Sequence, residues 1–557
     1  MAVQSVPTVG QSALALVLCA VAYGYAFPYF PEVNNPNENV RVYMTAAIAE
    51  NGSYDIEPMR KRWGWTNDAA VLNGKAFSVK GPATSLLGVP AYWVYYRWLA
   101  AEEKSVDLAT AVRICRVSAT IIPWLFFLVA FQRWLGKHTR SAFLREATLY
   151  AVAIGSPLYA YGLLFVSHTT MAAAAFASFM ITFNARERVT YSAASAFFAG
   201  FFAGMTTCFE YQGLVASVVL TLYAITAVRS PSHVLAYILG GLVPALAVMH
   251  FQWAAFGSPF TPGHLYLEDP YFRALHHRGF FGWTGFQRST AASLLFDFGY
   301  GLLPLCPLLL AAVLGLGRGL VRYDIRTDVL FAFAVAASTF LAVSSLDNWR
   351  GGWTVGPRLI MLTVPFLAWL ALLGLDWLAE RLPSTSRVFA LSAVVAGIVA
   401  SGIPSVYYPH IPEQFVRPLP QLFDVLIRHD FAPLNEGNRF DLWGTLSMAP
   451  VFAVFALAVA WIASREWNWR TLLAFPLAAA MLYPLVTVPP DAPKYLPTVA
   501  RVVRKWNPPG HDRAALLEVK VTGSEGTDAD VAALAETYKQ EGRTKEAKAL
   551  LAPASNH

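Results

Sequence analysis

About thirteen stretches of this chain are apolar for nearly the length a helix needs to cross a bilayer: 11–30, 112–132, 147–165, 170–183, 193–208, 212–228, 234–255, 300–316, 328–345, 359–377, 388–406, 446–463 and 471–488. That repetition confines the chain to one class, an all-α polytopic membrane protein with about thirteen transmembrane helices. Only 14% of the residues are charged, where a soluble chain carries roughly a quarter, and the mean hydropathy is +0.44. The net charge of +7 is spread over short loops, with no basic run dense enough for nucleic acid. Cys19, Cys115, Cys208 and Cys306 fall in or beside apolar stretches without metal-ligand spacing, which argues against a disulfide framework. The stretch 11–30 lacks a basic flank and a small-residue cleavage pattern, so it reads as a retained span.

Segment 82–101 decides the topology. Counted as a span, it would place Arg133, Lys137, Arg140 and Arg145 outside. As an interfacial helix it places them inside, together with Arg186, Arg188, Arg229, Arg318, Arg322, Arg326, Arg381, Arg387, Arg465 and Arg470. The positive-inside rule selects the interfacial reading, and Arg97 in mid-segment agrees with it. The N-terminus is then cytoplasmic, and segments 31–111, 257–298, 346–358 and 407–445 face outward. They are long and rich in aromatic, charged, Gly and Pro residues, so function is expected there. Residues 1–488 form the membrane domain. The tail 489–557, also outside, has a soluble composition: after a Pro-rich linker, 530–551 reads as a helix–turn–helix with Gly542 at the turn. It is similar to one tetratricopeptide unit, either a docking hairpin or a solvated appendage.

The first outer loop carries the most concentrated chemistry. After Pro36 and Asn37, the residues Val40, Tyr43, Met44 and Ala47 recur at helical spacing, which predicts a helix along the membrane surface with Glu38 at its N-terminus. The helix dipole favours the ionised carboxylate there, Arg41 one turn on would hold it, and it would serve as a general base. A plain helix-capping acid is the alternative. Lys80, in a Lys-Gly-Pro turn, and Arg41 would bind phosphate, or else act as interfacial anchors.

Further candidates lie at the outer ends of apolar stretches and in the other loops. His168, and Glu210 with Tyr211, interrupt apolar runs. His264, Glu268 and Asp269 stand in the 257–298 loop beside His276, His277 and Arg278, with no helical His spacing to suggest a metal. Arg350 and Arg358 bracket the glycines of DNWRGGWTVGPR, a plausible phosphate cradle or a tight aromatic turn.

With these residues in view, the chain resembles the membrane-embedded GT-C glycosyltransferases, on the branch shared by protein O-mannosyltransferases and the aminoarabinose transferases that modify lipid A. The resemblance covers the first eleven or so spans. It is carried by Glu38-Asn39-Val40-Arg41, where those enzymes place Asp-Glu-x-Arg after the first span, and by Lys80-Gly81-Pro82, where they have a Lys-Pro-Pro-type turn. GSPFTPG and GGWTVGPRLIMLTVPFL add to it. The resemblance implies a GT-C-like fold, a polyprenyl-phosphate sugar donor, inverting transfer, and a lipid, glycan or protein acceptor reached from the outer face of a bacterial inner membrane. No metal or other cofactor is required. Glu38 falls on the catalytic acid's position with Arg41 as its partner, Lys80 falls on the phosphate-binding lysine, and Arg350 or Arg358 would complete the clamp. Asn37, His168, Glu210, Tyr211, His264, Glu268 and Asp269 are further cavity candidates. The chain departs from the pattern in Glu for Asp, Asn39 for the second acid, and Gly81 after the lysine. Two rival readings remain: a transporter or flippase of lipid-linked sugars, which predicts mid-membrane charges and pseudo-repeats, and a non-catalytic envelope-assembly subunit docking a protein partner through the tail hairpin.

Overall fold

The structure, a computed structural model, describes residues 9–30, 35–188 and 191–487 and, in the tail, 498–499, 502, 517–518, 521, 527–540 and 542–551. The start of the first loop, including Asn34, and most of the Pro-rich linker lie outside the described residues. The fold is helical, built around one large apolar core. Among the described residues, seven helices are long and apolar enough to cross a membrane: Leu108–His138, Pro231–Phe256, Arg326–Val343, Arg358–Arg381, Pro383–Tyr407, Gly444–Arg465 and Trp469–Val486. Four shorter apolar helices, Ala13–Tyr25, Ala193–Phe209, Tyr211–Ile225 and Pro307–Val321, pack among them. The expected stretch 147–165 is broken into Ala142–Ala153 and Leu158–Leu163, because Pro157 follows Gly155 and Ser156 and cannot continue a helix. The stretch 170–183 lies in His168–Arg188, which is diluted by Thr, Ser and Asn. Helix length and composition alone single out seven spans among the described residues, short of the expected thirteen. Helix Ala83–Ala101 is not among the seven. It packs on the helix Pro36–Asn51 and turns Trp93, Val94 and Trp98 outward.

Helix Pro36–Asn51 has well-defined ends. Asn35 caps it by accepting from the Glu38 N–H, Pro36 occupies its first turn, and Gly52 closes it in the left-handed region. Protein covers it on all sides. Val40, Tyr43, Met44 and Ala47 are buried, but so are Glu38 and Arg41 on the other sides.

Next comes an element outside the all-helical expectation. Strands β1 (Ala69–Leu72) and β2 (Lys75–Ser78) pair antiparallel around Asn73-Gly74, both with positive φ. That dipeptide suits a two-residue hairpin, whose turn matches strand twist.

Backbone hydrogen bonds join the long loops at one end of the molecule. The Glu268 N–H donates to the Ala69 carbonyl, tying 257–298 to the hairpin. Thr284 and Gln287 donate to Ser345 and Ser344, and Thr354 donates to Ile411, tying in 346–358 and 407–445. The short basic loops gather elsewhere: Arg387 and Ser141 meet on Glu466, Thr139 on Asp376, and Arg186 on Asp328. Helix Leu108–His138 connects the two ends, and its 31 residues span about 46 Å. In the tail, the hairpin forms with Gly542 at φ +78°, burying Ala535, Tyr538 and Ala547 between its helices. Glu518 joins Tyr538 to His429 of the 407–445 segment, so the tail sits at the long-loop end.

Candidate active site

The long loops enclose a cavity of about 650 Å³. Each of the four contributes to its wall: Asp68 and Lys80 from the first, His264 and His276 from the second, Arg358 from the third and His410 from the fourth. Leu214 and Val215, at the start of helix Tyr211–Ile225, add an apolar stretch to its wall.

Lys80 is placed by backbone packing. A Cβ on Gly81 would lie 2.5 Å from the Cys208 carbonyl oxygen and 2.6 Å from that of Phe209. Only glycine lets the chain approach the end of that helix so closely, which puts Lys80 next to Glu210. The Lys80 ammonium donates to Asp68, with Nζ 2.9 Å from Oδ2. Burial depresses the Lys80 pKa and the Asp68 carboxylate only partly restores it. For Asp68, burial acts upward, but Lys80 and then Arg358 outweigh it and hold the carboxyl below its usual range.

Arg41 lies fully buried behind the wall. Its guanidinium donates to the Asn37 carbonyl at 2.8 Å, to Ser167 Oγ at 2.8 Å and to Glu210 Oε1 at 2.5 Å. The Ser167 hydroxyl donates to the same Glu210 oxygen. Arg358 starts its helix with its guanidinium against Gly351, where a Cβ would lie 2.7 Å from its Nε. Among the described residues no carboxylate pairs with Arg358. His168 is buried in the wall with neither ring nitrogen hydrogen-bonded among the described residues. Burial pushes His264 down to about 3 and His276 and His410 down to about 4, against the upward pull of Asp68 on the first two and of Glu38 on the third, so these imidazoles are neutral at ordinary pH. The cavity wall therefore carries two cations, Lys80 and Arg358, and two carboxylates, Asp68 and Glu210, with Arg41 behind the wall on Glu210. Arg358, with no acidic partner among the described residues, suits a phosphate, and the neutral imidazoles suit polar hydroxyls.

Of the sequence candidates, Asn37, Lys80, His168, Glu210, Tyr211, His264 and Arg358 come together on the cavity wall. Glu38 does not. Arg116 grips it with two hydrogen bonds of 2.6 and 2.7 Å, the Phe165 N–H donates at 2.7 Å, and the Asn35 amide completes the set. Burial raises its pKa, but Arg116 and the Phe165 N–H overcome that and hold the carboxyl below its usual range. The expected Glu38–Arg41 pair is replaced by Glu38–Arg116 and Arg41–Glu210. A carboxylate held by four donors cannot take a proton until Arg116 lets go. Arg350 also misses the cavity, stacking on Tyr300 with Glu413 3.9 Å away. Glu268 binds Arg60 and Trp65, and Asp269 caps helix Pro270–His276, so both brace the loop.

Sequence reasoning missed Asp68, Arg116, His276 and His410. Arg116 carried a readable signal, an arginine inside an apolar stretch. Asp68 precedes a hairpin whose Asn-Gly turn was legible and unread.

No protein-family model and no curated protein matches the chain. Among solved structures it is similar to ArnT from Cupriavidus metallidurans in the apo state, with 16% identity, 88% of this chain and 80% of that one covered, and a TM-score of 0.46. The same protein bound to undecaprenyl phosphate matches with 14% identity, 96% and 88% coverage, and a TM-score of 0.48. AglB, the oligosaccharyltransferase of Archaeoglobus fulgidus in complex with an inhibitory peptide and a dolichol-phosphate, matches with 12% identity, 78% and 59% coverage, and a TM-score of 0.41. These likenesses are of structure at low identity.

Proposed function

We propose that the protein is a membrane glycosyltransferase that takes a sugar from a polyprenyl-phosphate carrier and passes it to a hydroxyl or amine of a lipid, glycan or protein. The observation that carries this reading is Arg358, without an acidic partner among the described residues, beside Lys80 on the wall of a cavity that Leu214 and Val215 of helix Tyr211–Ile225 also line. The two cations would hold the donor phosphate and stabilise the charge it gains when the sugar leaves. Arg41, fixed by Glu210, would add to the positive field from behind. On helix Tyr211–Ile225, Leu214, Val218, Leu222 and Ile225 are more than half exposed and share one face leading away from the cavity. That stripe would carry the polyprenyl chain while the sugar sits among His264, Tyr211 and His276. The residues and motifs behind the GT-C resemblance support the same reading, with the site on the outer face of a bacterial inner membrane.

The test has two arms. Purified protein in nanodiscs is titrated with undecaprenyl phosphate. Envelope lipids, glycans and proteins from cells with and without the protein are compared by mass spectrometry. Saturable binding and a sugar-sized mass increment that depends on the protein are expected. Absence of both overturns the reading.

A further inference from the structure

Three carboxylates lie in or behind the cavity wall, and they differ in what holds them. Glu38 is saturated by four donors and is not among the residues that line the cavity. Glu210 is fixed by the Arg41 fork and by Ser167. The Asp68 side chain has one partner among the described residues, the Lys80 ammonium. A guanidinium fork fixes its carboxylate geometrically, whereas an ammonium is a point charge on a flexible stem.

The hairpin sets the two groups face to face. Asp68 enters β1 and Lys80 leaves β2, at the open end where the Val79 N–H donates to the Asp68 carbonyl at 3.3 Å. The main chain is thus tied across the pair, and only side chains need to move. Asp68 also sits at φ +59°, a left-handed conformation that few residues other than glycine, Asn and Asp adopt readily.

From this geometry, and resting on the glycosyl-transfer reading above, we propose that the Asp68–Lys80 pair is a latch opened by the donor phosphate, and that the released Asp68 is the base of the reaction. Phosphate bound between Lys80 and Arg358 draws the ammonium away from the aspartate. The acceptor oxygen or nitrogen then bonds to the sugar's anomeric carbon, and the bond from that carbon to the phosphate oxygen breaks. The electron pair leaves with the phosphate, which changes from diester to monoester and gains one negative charge. The acceptor's proton passes to the Asp68 carboxylate, and Lys80 and Arg358 face the new charge. Donor binding and base activation become one event, so an empty site holds no free base.

The latch predicts opposite signs for one substitution. Asp68→Asn keeps the shape, frees Lys80 and cannot take a proton. Undecaprenyl phosphate is expected to bind the variant about five-fold more tightly, since its competitor for Lys80 is weakened. Formation of the mass-shifted product is expected to fall by about a hundred- to ten-thousand-fold. Asp68→Glu, which keeps a carboxylate, should recover part of the transfer. A structural role for Asp68 would lower both readouts together. Binding that weakens or stays the same in Asp68→Asn overturns the latch, and near-parental transfer overturns the base. Should Asp68→Asn not fold, Asp68→Glu carries the test through its shifted carboxylate: unchanged transfer sinks the proposal, and reduced transfer with retained binding supports it. A parent protein that neither binds undecaprenyl phosphate nor makes product fails the underlying reading instead.

Discussion

The two ends of the molecule use charge differently. At the basic end, carboxylates meet cations or hydroxyls between helix termini: Glu466 with Arg387, Asp328 with Arg186, and Asp376 with the Thr139 hydroxyl. Those bonds hold neighbouring helices at fixed heights, and none of these residues lines the cavity described above. At the long-loop end, the same kinds of pairs border a void, and Arg358 has no acidic partner among the described residues. A buried cation without a partner is costly, and an anion in the cavity would offset that cost. The contrast separates charge that positions helices from charge that awaits a ligand.

The contrast requires the two ends to face opposite sides of the membrane, and the sharpest way to break it is all-or-none. Cysteines introduced at Ser53 and Arg140 should react with an impermeant thiol reagent from opposite sides, Ser53→Cys from outside and Arg140→Cys from inside. Labelling of both from one side would put the cavity and the arginine loops on a common face and remove the outward-facing site.

Next in size is the Glu38–Arg116 pair, which belongs to the cavity end by position and to the positioning class by chemistry. Arg116→Leu leaves a buried carboxylate without its main partner, and removing one member of such a pair costs about 3–5 kcal/mol. Thermal unfolding in detergent should show that loss, and Glu38→Leu combined with Arg116→Leu should regain most of it. If Glu38→Gln were as stable as the parent while transfer fell by about a hundred-fold or more, the saturated carboxylate would be the catalytic one and the division drawn from burial would fail.

That pair also shows how far the sequence could be read. Apolar periodicity identified the class of fold and the loops that meet at the cavity, because both follow from local composition. Lys80, Glu210, His168 and Arg358 were legible because each interrupts an apolar run or sits beside glycine. Partner choice was not legible. Glu38 and Arg41 are one helical turn apart, yet each turns to a residue far along the chain, Arg116 and Glu210, brought near only by helix packing. Asp68 was missed for the same reason, since its importance lies in standing across a hairpin from Lys80.

A third comparison sets Lys80 against Arg358. Both face the cavity, but only Lys80 must leave a partner to meet a ligand. Lys80→Ala and Arg358→Ala should each weaken undecaprenyl phosphate binding by about 1.5–3 kcal/mol, the worth of a charge-assisted contact, or about ten-fold or more. Arg358→Ala is expected to lose the larger part, because no internal ion pair offsets its contact with phosphate. Equal or reversed losses in titration would mean that the Asp68–Lys80 pair is too weak to compete.

The smallest effect is expected at the opposite end. Glu466→Gln removes one charge from a pair whose side chains are 28% and 26% exposed, and pairs so placed contribute about 0.2–1 kcal/mol. The new amide oxygen can still accept from Ser141, so the helix ends stay joined and the melting temperature should hardly move. Undecaprenyl phosphate binding should not change, since the pair lies among the basic loops at the other end of the molecule from the cavity and screening at physiological salt acts over about 8 Å. Raising the ionic strength should narrow the remaining stability difference, because a half-exposed pair is screened while the buried Glu38–Arg116 pair is not. A Glu466→Gln protein destabilised as much as Arg116→Leu, or one with weakened phosphate binding, would show that the two ends are coupled and that the basic end does more than hold helices in place.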